Sequence, residues 1–160
     1  MKEFDYDLDY KKLDFTDTET RELYRIGRGE QGVLLVRPYT NIICNHWRFK
    51  TPREAIIYYN RIFGMYIYYR DEGDFIGMDM CRKFLEMGFT RARRYANHNS
   101  GRKYKQGTKE VLPQEPDHET SKYAEAARTF KKVRDIVAKS DVYVKMRKEW
   151  RAKENNRVNC

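Results

Sequence analysis

The stretch DFIGMDMCRKFLEMGFTRARRYANHN, residues 74–99, combines an apolar helical stripe with a dense group of basic side chains. Asp74 is a typical N-cap residue for a helix that starts here. The apolar stripe follows helical spacing and consists of Met78, Cys81 and Leu85. Gly88 is typical of a helix end, and Thr90 can cap a short arginine-rich helix after it. This stretch therefore predicts two successive helices with a break between Gly88 and Thr90.

A second helix is predicted just before it, in TPREAIIYYNRIFGMYIYYRDEG, residues 51–73. Thr51 is a typical N-cap, Pro52 suits the first helical position, and Glu54 completes a capping box. The apolar face has a spacing of three and four residues and comprises Ala55, Tyr59, Ile62, Tyr66 and Tyr69. Gly73 then ends the helix.

Helical spacing returns in the C-terminal part of the chain, from Asp117 onward. It runs first through Tyr123, Ala127, Phe130, Arg134 and Val137, and then through Tyr143, Met146 and Trp150. A break near Ser140 separates the two segments. We therefore expect two C-terminal helices.

Two short apolar runs before residue 51 predict extended structure. VLLVRPY, residues 33–39, is rich in apolar and β-branched residues, and IICNHWRF, residues 42–49, follows a turn at Thr40–Asn41. Alternation in the second run predicts two faces, one with His46 and Arg48 and the other with Trp47 and Phe49. We expect a small antiparallel β-hairpin or sheet. Together with four to five helices it gives an α-dominated α+β fold.

Composition divides the chain into four segments. Residues 1–23 are an acidic, aromatic lead-in that ends in a short turn, where Thr16 and Glu19 have capping-box spacing. The core domain, hairpin plus helices, covers residues 24–112. The remaining segments are the C-terminal helices at 113–154, which pack on the core or extend it, and a tail at 155–160 that frays.

The overall composition indicates one basic domain. Its 160 residues carry a net charge of +9, and 13 of them are tyrosines. No segment reaches the ~18 apolar residues of a membrane span, and the acidic N-terminus lacks a signal-peptide core. We therefore expect a cytoplasmic protein without a membrane partner. The three cysteines, Cys44, Cys81 and Cys160, lack C-x-x-C spacing, which indicates reduced thiols rather than a disulfide framework or zinc site.

Patterns typical of catalytic and metal sites are missing from the sequence, which has no G-x-S-x-G, H-x-x-x-H or H-x-H. His46, close to Cys44 and Arg48, is a candidate for a catalytic role, although a half-buried strand histidine is the more common interpretation. We assign no catalytic residue, no metal and no cofactor, and we favour a protein that is not an enzyme.

GRGEQGVLLV, residues 27–36, has the G-x-G-x-x-G spacing of a phosphate-binding loop. A dinucleotide fold requires a helix after the third glycine, whereas β-like residues follow here. A kinase glycine loop lies between two strands, but neither H-R-D nor D-F-G occurs. We expect the three glycines to provide positive φ or close backbone approach at the mouth of the hairpin. The alternative is a loop whose amides bind phosphate beside Arg25 and Arg28.

The basic block, residues 82–109, contains nine Lys and Arg residues and one acidic residue, Glu86. Charge at this density produces a positive potential that attracts phosphate. On a helix, Arg91, Arg94 and His98 share one face. Arginine binds phosphate through two N–H groups, and tyrosine stacks on bases. The predicted nucleic-acid or phosphate-binding residues are Arg91, Arg93, Arg94, Tyr95, Asn97, His98, Arg102, Lys103, Tyr104 and Lys105.

A second contact is predicted from neighbouring basic and polar positions. Its members are Arg25, Arg28, Gly29, His46, Arg48 and Lys50. The alternative explanation of the segment ARRYANHNSGRKY, residues 92–104, is a solvated helix face whose arginines pair with acidic residues of 1–23 or 71–79. Both interpretations fit the sequence.

Two runs carry a resemblance to a known family: YRIGRGEQGVLLVRPYTNIICNHWRFKTPREA and FIGMDMCRKFLEMGFTRARRYANHNSGRKY. They resemble a family of small proteins from tailed phages and bacteria that is defined as a domain of unknown function. The resemblance covers residues 24–105. It implies a role in an infected cell, such as handling nucleic acid or blocking a host defence, but no activity, cofactor or site residue.

The leading hypothesis is a small, non-enzymatic accessory protein that binds nucleic acid, DNA or RNA, through the basic block. Two alternatives remain open. One is a pocket that binds or sequesters a small nucleotide or nucleotide-derived signal, formed by the glycine loop, His46, Arg48 and residues 92–98 together. The other is a protein–protein module that inhibits a host enzyme.

Overall fold

The computed structural model describes residues 3–158, and within them the chain forms six α-helices joined by turns and loops. In chain order the helices are α1 (Thr18–Arg21), α2 (Tyr39–Cys44), α3 (Pro52–Asp71), α4 (Phe75–Asn97), α5 (Lys122–Lys139) and α6 (Asp141–Val158). The β structure in residues 3–158 amounts to one isolated antiparallel bridge between Tyr104 and Val111. The protein is all-helical, so the predicted α+β fold with a β-hairpin is wrong.

Helix α4 lies at the centre of the fold. It packs along α3 and α5 and also contacts α2 and α6. From Phe75 to Leu85 every side chain except that of Arg82 is buried. Burial on nearly all faces is typical of a helix in a protein core. The other helices are arranged around this first half of α4.

The capping residues predicted for α3 and α4 are confirmed. The hydroxyl of Thr51 accepts a hydrogen bond from the Glu54 amide at 3.1 Å, and the carboxylate of Asp74 accepts one from the Gly77 amide at 3.1 Å. Asp74 also accepts hydrogen bonds from the Arg21 guanidinium at 2.9 Å and from the Tyr39 hydroxyl at 2.5 Å. One cap therefore connects α4 to α1 and α2.

The predicted break at Gly88 is wrong, because α4 continues through it to Asn97. A Cβ atom at Gly88 would lie 2.6 Å from Cδ1 of Phe130 in α5. The glycine allows two helices to approach closely and does not end one. Thr90 lies within α4, where its hydroxyl donates to the Glu30 carboxylate at 2.8 Å instead of capping a helix.

The predicted hairpin is replaced by successive tight turns followed by α2. Backbone hydrogen bonds of the i to i+3 type join Glu30 to Val33 at 3.1 Å and Gly32 to Leu35 at 2.9 Å. Val33 and Val36 are buried, whereas Leu34 is 47% exposed, so the run VLLV buries every third residue. A spacing of three is typical of successive turns with i to i+3 hydrogen bonds, whereas the residues of a strand alternate with a period of two.

The C-terminal helices differ from the prediction mainly at their ends. Helix α5 is capped by Ser121, whose hydroxyl accepts from the Ala124 amide at 3.2 Å, so it begins after the predicted Asp117. The break near Ser140 is confirmed, since Ser140 is the C-cap of α5. Of the predicted frayed tail, residues 155–158 belong to α6, and residues 159–160 lie outside the described part of the chain.

The N-terminal segment supplies aromatic side chains to the core. Phe4, Tyr10 and Phe15 are buried, and their rings stack in order at centroid distances of 5.4 and 5.9 Å. Helix α1 is capped by Asp17 instead of Thr16. Among residues 3–158, no helix combines the length and apolar character needed to cross a bilayer.

Candidate nucleic-acid interface

The predicted binding residues divide into an exposed group and a buried or half-buried group. The exposed group, which we call the basic surface, consists of Arg91, Arg94, Arg102, Lys103, Tyr104 and Lys105. Arg91 and Arg94 lie on the outer side of α4, and the other four lie on the loop 98–121. Arg94 and Lys103 line one depression of about 490 Å³. The fold therefore brings helix and loop members of the basic surface together.

The second group attaches the loop 98–121 to α4. The Arg93 guanidinium donates to Oδ1 of Asn97 at 3.1 Å and also to the carbonyl of His118. The backbone carbonyl of Asn97 accepts from the Glu115 amide at 2.8 Å. Nδ1 of His98 lies 3.2 Å from the Pro113 carbonyl, and the side chain is buried. Because His98 is the C-cap of α4 and is buried, it does not share an exposed face with Arg91 and Arg94.

Tyr95 also has a structural role. Its ring stacks on Tyr123 of α5 at a centroid distance of 5.6 Å and contacts Phe49 at 5.8 Å. The ring centroids of Phe49 and Trp47 lie 4.9 Å apart. These two side chains therefore lie together, as the alternation predicted, although this segment does not form a strand.

Two members of the basic block do not belong to the basic surface, because Lys83 is buried and the Arg82 side chain is only 11% exposed. Arg82 and Lys83 surround the carboxylate of Asp79, with Nε of Arg82 at 2.7 Å and Nζ of Lys83 at 3.9 Å. Asp79 also accepts hydrogen bonds from the hydroxyls of Tyr24 and Tyr143, the latter at 2.6 Å. Burial by itself would raise the pKa of Asp79, but the charges of Arg82 and Lys83 outweigh it and lower the pKa to about 2.

Lys83 is fully enclosed in this cluster. Its ammonium donates to the Gln31 carbonyl at 2.7 Å and lies 5.0 Å and 4.9 Å from the ring centroids of Phe4 and Tyr24. Burial lowers the pKa of Lys83 to about 7, although the carboxylate of Asp79 opposes the shift. Sequence reasoning missed the cluster. The sequence pattern that points to it is Asp79 with Arg82 and Lys83 three and four residues later, inside a helical stretch whose other residues are mostly apolar.

The acidic segments form ion pairs with partners outside the basic surface. Within residues 3–158 these pairs are Asp9–Lys12, Glu3–Arg28, Glu22–Arg157, Asp71–Arg70, Asp74–Arg21, Asp79–Arg82 and Asp79–Lys83. The alternative in which the arginines of residues 92–104 pair with acidic residues of 1–23 or 71–79 therefore does not describe this fold.

The glycine loop, residues 27–32, has the conformation expected of its glycines. Gly27, Gly29 and Gly32 have φ values of 67°, 57° and 75°, which confirms the expected positive φ, although no hairpin follows. The carbonyl of Gly27 accepts from the Arg151 guanidinium at 2.9 Å, and that of Gly29 from Arg82 at 3.1 Å. The loop thus uses its carbonyls to hold arginines, and the Arg28 amide donates to the Gln31 side chain at 2.8 Å.

Arg91 is the member of the basic surface that shares a depression with the glycine loop. Arg28, Gly32 and Arg91 line one depression of about 320 Å³, whereas Arg94 and His98 line the depression beside Lys103. The glycine loop and residues 92–98 therefore do not form one pocket.

The predicted second contact is dispersed. Arg25 is half-buried and Lys50 is exposed. The Arg48 guanidinium donates to the Trp47 carbonyl at 2.6 Å and lies 5.6 Å from the Tyr58 ring. Nδ1 of His46 is buried and lacks a hydrogen-bond partner among the described residues. Cys44 is half-buried and Cys81 is buried, both as free thiols, and Cys160 lies outside the described residues.

These features define a small all-helical protein with an exposed basic surface and a buried ionic cluster at its centre. The family described as a domain of unknown function, DUF4385, matches residues 5–153. The chain belongs to this family, which confirms the resemblance of residues 24–105 to a domain of unknown function and extends it over almost the whole chain. No curated protein and no solved structure matches the chain.

Proposed function

We propose that the protein binds nucleic acid, DNA or RNA, through the basic surface, in the cytoplasm and without a catalytic step. The observation that supports this proposal is the arrangement of charge. Arg91, Arg94, Lys103 and Lys105 are exposed. Those carboxylates of the acidic segments that form ion pairs, among them Glu3, Asp9 and Asp74, form them with other basic residues. Exposed positive charge that is not neutralised within the chain attracts phosphate.

The basic surface also offers a group that can contact bases. Tyr104 is 47% exposed, and Nζ of Lys103 lies 5.4 Å from its ring centroid. An exposed tyrosine stacks on an unpaired base, while a neighbouring lysine neutralises the adjacent phosphate. Because stacking and phosphate contacts tolerate many sequences, we expect binding with weak sequence preference and a moderate advantage for single strands.

Fluorescence anisotropy of labelled duplex DNA and single-stranded RNA tests the proposal. Affinity of the unaltered protein should fall steeply as salt rises from about 50 to 200 mM, because each neutralised phosphate releases counterions. The double variant Arg94→Ala with Lys103→Ala removes two contacts from one depression. It should weaken binding and reduce the slope of log K against log salt by about 2 for duplex DNA.

The matched control is Lys11→Ala with Lys12→Ala, which removes the same charge from exposed positions in the N-terminal segment. Its affinity and salt slope should stay close to those of the unaltered protein. Absence of binding, binding that does not respond to salt, or equal weakening in both double variants would overturn the proposal.

A further inference from the structure

Three arginines from two helices that are distant in the sequence lie together beside the glycine loop. Arg82 of α4 and Arg147 and Arg151 of α6 line two adjoining depressions of about 550 and 340 Å³. Glu3, Gly27, Arg28 and Gly29 complete the smaller one. We call this combined concave site the arginine depression.

Two of these arginines are held rigidly. Arg82 is bound to Asp79 at 2.7 Å and to the Gly29 carbonyl at 3.1 Å, and its side chain is only 11% exposed. Arg151 is bound to Glu154 at 2.8 Å and to the Gly27 carbonyl at 2.9 Å. Because the buried carboxylates and the loop carbonyls fix both guanidiniums, a bound anion would not have to order them.

The remaining basic groups are exposed and can adjust. Arg147 and Lys148 lie on the outer side of α6, and Arg28 lies on the glycine loop. Arg28 forms an ion pair with Glu3 at 3.5 Å, in which the two side chains are 82% and 46% exposed. An ion pair this exposed contributes little to stability, so a more highly charged anion can compete with Glu3 for Arg28.

We propose that the arginine depression binds the phosphate groups of a small polyphosphorylated ligand of nucleotide size. Its volume falls in the range of small-molecule sites, about 300 to 1,000 Å³. Guanidinium groups match phosphate oxygens through paired N–H donors. Several arginines around one concavity favour a ligand with more than one phosphate over a single carboxylate, because each additional anionic oxygen can engage a further guanidinium.

This site is separate from the basic surface, and the two share no residue. The loop presents carbonyls to the arginines instead of amides to the phosphate, so the arrangement differs from a phosphate-binding glycine loop. The glycine loop acts here as a scaffold for Arg82 and Arg151.

Isothermal titration calorimetry with inorganic triphosphate and with ATP tests the inference. Both should bind saturably at one site per chain, and tighter binding of ATP would indicate that the nucleoside also contacts the depression. Arg147→Gln should weaken triphosphate binding by about tenfold, the loss expected for a charge-assisted hydrogen bond. The matched control is Lys145→Gln, an exposed change of equal charge on the same helix outside both depressions, and it should bind triphosphate as the unaltered protein does.

Nucleic-acid binding by the same variants separates this inference from the proposed function. Arg147→Gln should leave the affinity for duplex DNA unchanged, and the Arg94→Ala, Lys103→Ala variant should still bind triphosphate. The inference is overturned by absence of saturable triphosphate binding, by equal affinities of Arg147→Gln and Lys145→Gln, or by parallel losses of triphosphate and DNA binding in Arg147→Gln. Circular dichroism of each variant confirms that the helices are retained.

Discussion

At the residue scale, Asp79 shows how one buried carboxylate connects distant parts of the chain. It accepts hydrogen bonds from Tyr24, which precedes the glycine loop, from Tyr143 of α6 and from Arg82 within α4. Lys83 completes the surrounding charge at 3.9 Å. Removing one member of such a buried pair leaves an uncompensated charge, which typically costs about 3 to 5 kcal/mol.

Asp79→Asn should therefore destabilise the protein near neutral pH and change its response to acid. The pKa of Asp79 is lowered from 3.8 to about 2 in the folded state, so its ionised form stabilises the fold above pH 3.8. That contribution, about 2 kcal/mol, is lost as the pH falls through 2. Urea unfolding at pH 5 and at pH 2 should give a large difference between unaltered protein and variant at pH 5 and a smaller one at pH 2.

Asp7→Asn is the matched control, because Asp7 is exposed in the N-terminal segment. Its free energy of unfolding should stay within about 0.5 kcal/mol of the unaltered protein. If Asp79→Asn behaves like this control, or if its deficit is the same at both pH values, Asp79 does not stabilise the fold through its charge.

At the scale of elements, the packing around two helical glycines predicts opposite effects of alanine on stability. Gly88 lies where α4 approaches α5 closely, whereas Gly64 of α3 has open space beside it. Gly88→Ala places a Cβ 2.6 Å from the Phe130 ring, and such overpacking costs about 1 to 3 kcal/mol. Gly64→Ala in α3 meets nothing within 4 Å and should stabilise the protein by about 0.5 to 1 kcal/mol through helix propensity.

Thermal unfolding of the two variants measures both effects. We expect a lower midpoint for Gly88→Ala and a higher midpoint for Gly64→Ala than for the unaltered protein. An increase in both would mean that α4 and α5 can separate at Gly88 without cost, contrary to the packing described above.

The starts of α3 and α4 were predictable from the sequence, whereas the end of α4 was not. Thr51 and Asp74 cap helices through hydrogen bonds three residues away, so the local sequence contains all of the information. Gly88 owes its place to Phe130, more than forty residues later, and a local pattern cannot distinguish a C-cap from a close helix contact. The run VLLV likewise offered apolar residues without a period, and only burial shows that every third one faces the core.

Of the candidate site, the exposed basic residues were predictable from the sequence and the enclosed ones were not. The exposure of Arg91, Arg94 and the loop lysines follows from their charge and solubility. The low exposure of Arg82 and the burial of Lys83 do not follow from the local sequence, because they depend on Asp79 and on tyrosines from distant segments. The arginine depression was missed since its arginines come from α4 and from α6, more than sixty residues apart.

At the scale of the whole molecule, α6 closes the fold by binding the segment before the glycine loop. The indole of Trp150 donates to the Tyr24 carbonyl at 3.1 Å, and Glu154 accepts from the Ile26 amide at 2.8 Å. Glu154 also holds Arg151, which reaches the Gly27 carbonyl. Helix α6 and residues 24–27 therefore stabilise each other, and both contribute to the arginine depression.

Glu154 gives the most direct test of this closure. Glu154→Ala leaves the buried Ile26 amide without its acceptor and should lower the free energy of unfolding by about 1 to 3 kcal/mol. Glu154→Gln keeps an oxygen acceptor and should lose less, and Glu149→Ala, an exposed change on the same helix, should be nearly neutral. Urea titrations followed by tryptophan fluorescence measure all three, because Trp150 lies against the same segment. Equal stabilities of Glu154→Ala and Glu149→Ala would mean that α6 does not hold the glycine loop, and that Arg151 is positioned without Glu154.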